Sequence, residues 1–219
     1  MAAIEINPSA AQADAIVIAG LKEIAVALIS DQLRRNRGSK GLIPFHRPAP
    51  LAGTAVTVRT RGGDNLAILR AYDHCRPGDV MVVDGEGNLD NALVGGIMTF
   101  GAASLGLAGM VLDGAIRDVA EIRERTFPVY ARGVTHRGPY KDGPGAINVP
   151  VSVGGMTVRP GDIVVGDQDG LVALSPCEAS AVIEKALRQL DAEEATMQAI
   201  REGRWDRAFV DALEARSLN

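Results

Sequence analysis

The stretch NALVGGIMTFGAASLGLAGMVLDGAIRDVAE, residues 91–121, decides how the rest of the chain is organised. It predicts a small-residue helix that starts near Leu93, a short apolar strand over residues 110–112, and a second helix that begins at Arg117 and Asp118. Ligands gather where strands end and helices start in α/β proteins, because free backbone N–H groups point outward there. Arg117 can bind an anion and Asp118 a cation, which suits a small acid held on a metal ion.

Residues 92–112 contain no charged side chain and are long enough to cross a bilayer. The segment also contains five glycines. A buried helix followed by a core strand explains it better, because strands buried on both faces have unbroken apolar sequences. We therefore predict no membrane span. The alternative interpretation of Arg117 and Asp118 is structural, since the helix dipole and solvent often place charged residues at a helix start.

The composition is that of one soluble cytoplasmic domain over residues 1–219. With 47% hydrophobic and 4% aromatic residues, the core is expected to consist mainly of Val, Ile, Leu and Ala. A net charge of −4 argues against a nucleic-acid partner, whose binding surface would be basic. Cys75 and Cys177 form neither a disulfide framework nor a metal motif, which favours a reducing cytosol, and the first residues show no export signal.

The N-terminal part predicts a long amphipathic helix over residues 10–35, capped by Ser9. The helix ends in a basic cluster at residues 34–40. This cluster is either an anion or RNA patch or a solvated helix end favoured by the helix dipole, and we prefer the second interpretation.

The middle of the chain predicts a strand over residues 53–59 and a helix over residues 66–75. The tetrapeptide Arg-Pro-Gly-Asp then occurs twice, before predicted strands at residues 80–83 and 163–165. Asp84 is a further site candidate because it follows the first of these strands and lies close to residues 91–121, called here the central stretch.

The C-terminal part predicts strands and a hairpin over residues 146–158, with a Gly-Gly pair in the turn. A helical arm follows over about residues 176–219, with one long helix to about Arg201 and a last short helix over residues 205–215. The arm packs either on its own core or on a neighbouring subunit, and the sequence leaves both arrangements open.

From about Ile29 to Leu174, the chain resembles the family that contains 4-hydroxy-4-methyl-2-oxoglutarate aldolases and the regulator of ribonuclease activity A. The segments that carry the resemblance are residues 77–80, 83–84, 95–96, 113–118, 150–155 and 160–162. Gly96, Arg117-Asp118 and Glu121 are similar to the Gly-X20-Arg-Asp-X2-Glu pattern of one branch. The better-studied aldolase branch has Asp where Gly96 stands, so this chain lacks a carboxylate that helps to hold metal-bound water there.

The resemblance implies an αββα sandwich with central mixed sheets, an N-terminal helix and a C-terminal helical arm. It also implies a homotrimer, or a homohexamer made of two trimers, with sites between subunits. The cofactor that it implies is a divalent metal cation, Mg²⁺ or Mn²⁺.

The resemblance also assigns roles to the residues of the central stretch. Asp118 would be the direct metal ligand, and Glu121 would position a metal-bound water in place of the missing carboxylate. Arg117 would hold the keto-acid end of the substrate and stabilise the enolate. The pyruvyl carboxylate would bind to backbone amides at the helix start, those of Gly95, Gly96, Ile97 and Met98.

The function that follows is that of a class II, metal-dependent lyase. It would cleave a 4-hydroxy-2-keto acid to pyruvate and decarboxylate oxaloacetate, through a metal-stabilised pyruvate enolate. A second hypothesis is a non-catalytic regulator that binds a ribonuclease or an RNA helicase. A third is an aldolase for another sugar-derived keto acid, with residues 61–65 or 136–141 selecting the substrate.

Overall fold

In the computed structural model, which describes residues 4–35 and 37–210, the strands of a large mixed sheet form the centre of the protein. The strands are β1 (Ile4–Ile6), β2 (Ile43–Pro44), β3 (Leu51–Thr60), β4 (Asp79–Val94), β5 (Gly109–Ile116), β6 (Val129–Val134), β7 (Gly145–Ile147), β8 (Val151–Val153), β9 (Met156–Val158), β10 (Ile163–Gly166) and β11 (Leu171–Leu174). The helices are α1 (Ala15–Lys22), α2 (Val26–Gln32), α3 (Leu66–Ala71), α4 (Gly96–Ser104), α5 (Val119–Arg123) and α6 (Pro176–Arg201).

The main sheet has the order β1-β7-β3-β4-β5-β6-β2, and β10 joins it through β3 and pairs with β11. Strands β3, β4, β5 and β6 are parallel to one another, whereas β7 and β10 run antiparallel to β3. All eight residues of β5 are buried, which accounts for the apolar run in the sequence. Within the described residues, no helix combines the length and the apolarity needed to cross a membrane.

The layers follow the order helix, sheet, sheet, helix. One face of the main sheet, which includes Met81, packs on α3, α4 and α5. The other face, which includes Val82, packs on the β8–β9 hairpin. Alternate residues of β10 point to opposite sides: Val164 joins this second cluster, and Val165 joins a third cluster with α1, α2 and α6. The predicted αββα sandwich is confirmed.

The start of the predicted helix over residues 10–35 is wrong. Helix α1 begins at Ala15, and its cap is Asp14, not Ser9. The Asp14 carboxylate accepts hydrogen bonds from two N–H groups of the first turn, at 2.7 and 3.3 Å. The segment before the cap contacts the sheet instead of forming a helix. The N–H of Ala13 donates to Oγ1 of Thr54, on β3, at 3.0 Å.

The same predicted helix is also divided. The N–H of Val26, at the start of α2, donates to Oδ2 of Asp167 at 2.8 Å, so a side chain from another loop caps a second helix. Beyond α2, the predicted basic cluster includes Asn36, which lies outside the described residues. Arg37 forms an ion pair with Glu178 at 3.0 Å, which agrees with the structural interpretation of the cluster.

The strand predicted over residues 80–83 is much longer in the structure. It continues as β4 to Val94, so Leu93 lies in a strand and α4 begins at Gly96. Register shifts against β5 absorb the extra residues. Asp84 is therefore inside a strand, where its carboxylate accepts a hydrogen bond from the N–H of Ser152 at 3.4 Å.

Two other predictions are correct in type and wrong in extent. The helix over residues 66–75 ends at Ala71 and continues as a 3-10 helix, Tyr72–His74. The region of residues 146–158 divides into β7 and the β8–β9 hairpin, because Asn148 adopts a left-handed backbone between them. The predicted Gly-Gly turn is confirmed, with φ values of +57° at Gly154 and +78° at Gly155.

The long C-terminal helix is confirmed from Pro176 to Arg201, with Ser175 and Glu178 forming a capping box at its start. It packs on α1 and α2 through its first half, where the buried residues are Ala179, Val182 and Ala186. Trp205 is not helical, and residues 211–215 of the predicted last helix lie outside the described residues.

Candidate functional site

Helices α4 and α5 begin at neighbouring points on one edge of the main sheet. Strands β4 and β5 are parallel partners up to Val94 and Ile116, so the segments that follow them leave the sheet side by side. The N–H of Arg117 donates to the carbonyl oxygen of Val94 at 3.1 Å. Gly95 and Asp118 are thereby brought together at the carboxyl end of parallel strands, where α/β proteins bind ligands.

Asp118 has a left-handed backbone, with φ +58° and ψ +36°. This conformation costs roughly 1–2 kcal/mol for most residues other than glycine, although Asp tolerates it better than most. Oδ2 of Asp118 accepts a hydrogen bond from the N–H of Gly96 at 2.9 Å. The N–H groups of Ile97 and Met98, in the first turn of α4, have no acceptor within the helix.

Arg117 lies directly beside this carboxylate. Its Nε is 3.7 Å from Oδ2 of Asp118, and its side chain is 43% exposed. Within residues 4–35 and 37–210, the guanidinium makes no other ion pair. The outer N–H groups of the guanidinium are therefore free to bind an anion in two-point fashion.

Glu121 occupies the space that a side chain at position 96 would need. A Cβ added to Gly96 would lie 2.9 Å from Cδ of Glu121 and closer still to its Oε2. The same carboxylate forms an ion pair with Arg125, whose Nη1 donates to the carbonyl oxygen of Gly96 at 3.3 Å. The Glu121 carboxylate thus lies where a residue-96 side chain would begin, so a larger residue at position 96 would require the flexible end of Glu121 to move.

This geometry makes a prediction about the pair. Gly96→Asp is expected to lower the free energy of unfolding by about 0.5–1 kcal/mol, because the new side chain displaces the Glu121 carboxylate from its ion pair with Arg125 and places a second negative charge beside it. Adding Glu121→Ala should restore most of the loss, and chemical denaturation of the two single variants and the double variant would measure the coupling.

Gly101→Asp is a matched control, because a Cβ at Gly101 has no atom within 4 Å apart from its own helix and chain neighbours. Additive losses for Gly96→Asp and Glu121→Ala would contradict the proposed collision.

A cavity of about 250 Å³ opens at this edge. The residues that line it are Asn65, Leu69, Val94, Gly95, Ile97, Met98, Arg117, Asp118, Pro139 and Lys141. Five of the eight predicted site residues are among them, whereas Gly96, Glu121 and Asp84 are not part of the lining. Leu69 was not indicated by the sequence, because only the tertiary fold brings α3 to this cavity, whereas Asn65, Pro139 and Lys141 fall in the segments 61–65 and 136–141 that were proposed to select the substrate.

Four larger cavities lie elsewhere among the described residues: two of about 380 and 530 Å³, and two of about 360 Å³. The charged residues that line the first two are Arg37, Arg159, Asp162 and Glu178 in one, and Glu5, Arg59, Arg61 and Glu86 in the other. Both of these contain acids and bases in equal number, and Arg37 already pairs with Glu178. We therefore place the candidate site at the cavity of about 250 Å³, whose lining contains the left-handed Asp118 and the Arg117 guanidinium that pairs with it.

Asp64 anchors the loop that covers one side of the cavity. Its fully buried carboxylate accepts hydrogen bonds from the N–H groups of Leu66 at 2.9 Å, Asp142 at 2.7 Å and Gly143 at 3.0 Å. Burial alone would raise the pKa of Asp64, but these N–H donors and the positive charge of Arg61 lower it below its ordinary value.

Asp64→Asn is expected to lower the free energy of unfolding at pH 7 by about 2–3 kcal/mol, because charge-assisted hydrogen bonds are lost. Since the pKa of Asp64 is lowered on folding, this stabilisation is present above the unfolded pKa, near 4, and is lost as the pH falls through the folded pKa. Urea unfolding at pH 7 and at pH 3 would test this, and the difference between wild type and variant should be smaller at pH 3.

Asp142→Asn is the control for this comparison, because the Asp142 side chain is 73% exposed and lies 3.7 Å from Arg61. An Asp64→Asn effect that is equal at both pH values would contradict the role of the ionised carboxylate.

The donors at the cavity are compatible with a hard divalent cation. Among the described residues, no group of three or more His, Cys, Asp or Glu side chains is arranged to hold a metal ion. Asp118 nevertheless offers a half-exposed carboxylate at the cavity wall, and Glu121 supplies a second behind the start of α4. Mg²⁺ and Mn²⁺ prefer oxygen ligands, and Mg²⁺ in particular is commonly held by one or two carboxylates while it keeps several waters.

Together, the sandwich and this edge define an α/β protein with a cavity at two neighbouring helix starts. Residues 26–173 match the family model described as RraA-like, Aldolase/RraA. The match covers more than half of the chain, which therefore belongs to the Aldolase/RraA family.

Two of the similar proteins are named as aldolases for the same substrate. A Halalkalibacterium halodurans protein, provisionally named a 4-hydroxy-4-methyl-2-oxoglutarate aldolase, is 38% identical over 190 residues, which cover 86% of this chain and 90% of that protein. The 4-hydroxy-4-methyl-2-oxoglutarate aldolase of Thermus thermophilus is 37% identical over 130 residues, covering 59% of this chain and 79% of that protein.

The solved structure of Streptomyces coelicolor RraAS2 is also similar. It is described as an unusual member of the RNase ES inhibitor RraA protein family. Its TM-score is 0.79 at 27% identity, and the alignment covers 86% of this chain and 98% of that one. The predicted family and fold are confirmed, whereas the roles of the individual site residues stay predictions.

Proposed function

We propose that the protein is a divalent-metal-dependent lyase that cleaves a 4-hydroxy-2-keto acid of the 4-hydroxy-4-methyl-2-oxoglutarate type to pyruvate. We propose that it also decarboxylates oxaloacetate. The observation that carries the proposal is the pairing of the Arg117 guanidinium with the left-handed Asp118 carboxylate in the wall of one cavity. The names of the two aldolase relatives support it.

Asp118 would hold the cation, Mg²⁺ or Mn²⁺, and Glu121 would orient water beside it. When bound, the cation supplies positive charge that stabilises an enolate oxygen more strongly in the transition state than in the ground state. In the aldol cleavage the C4 hydroxyl would lose its proton to the water beside Glu121, and in both reactions C3 of the enolate would take up a proton from water to give pyruvate.

The N–H groups of Ile97 and Met98 would bind the C1 carboxylate, because they are free at the start of α4 and the helix dipole favours an anion there. Arg117 would donate to the C2 oxygen, which gains negative charge as the C3–C4 bond breaks. In both reactions the electron pair of that bond becomes part of pyruvate enolate. Leu69 and Pro139 would exclude water from the apolar side of the cavity.

The direct test is pyruvate release from 4-hydroxy-4-methyl-2-oxoglutarate and from oxaloacetate, with Mg²⁺ or Mn²⁺ and again with EDTA. Turnover that EDTA removes would support the proposal. An absence of turnover of both acids at every metal concentration would reject it.

The proposed assembly is a homotrimer or a pair of trimers with the cavity near a subunit interface. On α4, Ile97 lines the cavity and Phe100 lies one turn further on, and their exposed fractions in the single chain are 88% and 59%. Apolar exposure of this kind beside a polar site is typical of a surface that another subunit covers. Light scattering coupled to gel filtration would measure the mass, and a monomer would contradict the assembly.

A second candidate function is the regulation of a ribonuclease. The observation that favours it is the similarity to the Streptomyces coelicolor structure, because the alignment covers 98% of that chain. Inhibition of a purified RNase E-type enzyme by this protein, undiminished in an Asp118→Asn variant, would support the regulator. Pyruvate release without such inhibition would favour the lyase.

A further inference from the structure

The Arg125 guanidinium connects the end of α5 with the start of α4. Its Nη2 pairs with Oε1 of Glu121, its Nη1 donates to the carbonyl oxygen of Gly96 at 3.3 Å, and its Cζ lies 5.1 Å from the ring centre of Phe100. An ordinary ion pair between residues four apart on a helix uses one contact, whereas this guanidinium makes three contacts that involve both helices. These three contacts fix the plane of the guanidinium.

The backbone of Arg125 is held as well. Its N–H donates to the carbonyl oxygen of Ile122 at 3.1 Å, and its own carbonyl oxygen accepts from the N–H of Arg47 at 2.9 Å. Its side chain is 29% exposed, against 53% for Glu121. Arg125 is therefore the fixed member of the pair, and Glu121 is the exposed carboxylate that it holds.

The two oxygen atoms of the Glu121 carboxylate have different surroundings. Oε1 contacts Arg125, and Oε2 faces Gly96 where a Cβ would begin. In the described part of the chain, Arg125 is the one side chain that donates a hydrogen bond to Glu121. Gly96 in turn donates its N–H to Oδ2 of Asp118 at 2.9 Å. The guanidinium thus determines where Glu121 lies relative to the carboxylate in the cavity wall.

We infer that Arg125 is a positioning residue for the proposed reaction, which holds Glu121 where it can orient the water that takes the C4 hydroxyl proton. Arg125 lies outside the cavity lining and acts through Glu121. It also balances the charge of Glu121, so its removal does not weaken the attraction of a cation to this edge. The inference rests on the proposed function for the role of Glu121.

The first test compares two reactions of one variant. In Arg125→Met, kcat for 4-hydroxy-4-methyl-2-oxoglutarate should fall about tenfold, as is common when an outer partner of a metal site is lost. The kcat for oxaloacetate should stay within about threefold of the wild type, because decarboxylation removes no hydroxyl proton. Calorimetric titration should show that the affinity for Mn²⁺ also stays within about threefold, because Asp118 keeps its charge.

Two further variants separate positioning from charge. Arg125→Lys keeps the charge but cannot donate to two acceptors from one plane, so its kcat for aldol cleavage should stay about fivefold below that of the wild type. Arg123→Met is the matched control, because Arg123 lies on α5 with its guanidinium over the ring of Phe45, and its kcat should not change. Circular dichroism verifies the fold, and Arg125→Gln replaces Arg125→Met should the latter not fold.

The second test asks whether Arg125 acts through Glu121. In a Glu121→Gln background, the additional change Arg125→Met should alter kcat for aldol cleavage by less than about twofold, because the carboxylate that Arg125 positions is gone. A general loosening of the start of α4 would instead lower kcat by the same factor in both backgrounds, and would overturn the inference.

The relaxation rate of water protons, measured with Mn²⁺ bound, gives a test that needs no turnover. Glu121 would orient water beside the cation, so Arg125→Met should shift this rate at equal Mn²⁺ occupancy, whereas Arg123→Met should not. In a Glu121→Gln background, Arg125→Met should leave the rate unchanged. An unshifted rate in the single variant Arg125→Met would overturn the positioning role.

Failure of the two proposals can be distinguished. A relaxation shift that requires Glu121, in a protein that releases no pyruvate, would keep the positioning role and reject the lyase. Pyruvate release with equal losses in aldol cleavage and in decarboxylation would keep the lyase and overturn the positioning role. An absence of Mn²⁺ binding by the wild type would reject both.

Discussion

Replacing Asp118 with Asn is expected to reduce divalent-metal-dependent pyruvate release by roughly 1,000-fold or more, with the fold unchanged. Asn tolerates the left-handed backbone that this position requires, and its side-chain oxygen can still accept from the N–H of Gly96. The substitution therefore removes the negative charge and little else. Steady-state assays with both acids, together with Mn²⁺ titration by calorimetry, would measure the loss of activity and of metal affinity.

The matched control is Glu124→Gln, which neutralises an exposed carboxylate at the end of α5 that does not line the cavity. Asp118→Ala is a less selective variant, since Ala is strained in a left-handed backbone and cannot accept the hydrogen bond. Activity and Mn²⁺ affinity that persist in Asp118→Asn would reject Asp118 as the metal ligand.

The position of the site could be predicted from the sequence because it depends on local chemistry. A Gly-Gly pair before one helix and an Arg-Asp pair before the next are both signals for chain segments that leave a parallel sheet. The structure brings Gly95, Arg117 and Asp118 to one cavity, as that argument requires. The αββα layering followed from the resemblance rather than from periodicity.

The extent of several elements could not be predicted, because tertiary contacts decide it. Helical spacing continues through residues 10–13, yet the N–H of Ala13 bonds Thr54 of the sheet, so the helix starts later, after Asp14. Strand β4 continues well beyond Asp84 because register shifts against β5 accommodate residues that would otherwise form a loop. Neither contact has a signal in the local sequence.

Gly96 and Glu121 show both what could be predicted before the structure was known and what could not. The family resemblance implied that Glu121 replaces the carboxylate that is missing at position 96, but not how. The structure adds that the Glu121 carboxylate occupies the volume where a residue-96 side chain would begin, so Glu121 would have to adopt another position if residue 96 were Asp. Arg125 is a similar case, because its contact with the carbonyl oxygen of Gly96 becomes visible only when the fold is known.

Replacing Arg117 with Lys is expected to lower kcat by about 100- to 1,000-fold, although the positive charge is kept. The guanidinium can donate to two oxygen atoms at once from a fixed plane, whereas an ammonium places one compact charge on a flexible stem. The loss should fall on kcat for aldol cleavage and for decarboxylation alike, because both reactions place negative charge on the same C2 oxygen.

Arg123→Lys is the control for this substitution, since Arg123 belongs to α5 and lies 5.5 Å from the ring centre of Phe45, outside the cavity lining. Thermal unfolding should be nearly unchanged in both variants, because the Arg117 side chain is 43% exposed and contributes little to the core. A kcat within about threefold of the wild type in Arg117→Lys would show that two-point donation by the guanidinium does not stabilise the oxyanion. A rise in KM with kcat unchanged would instead mean that Arg117 binds substrate and transition state equally.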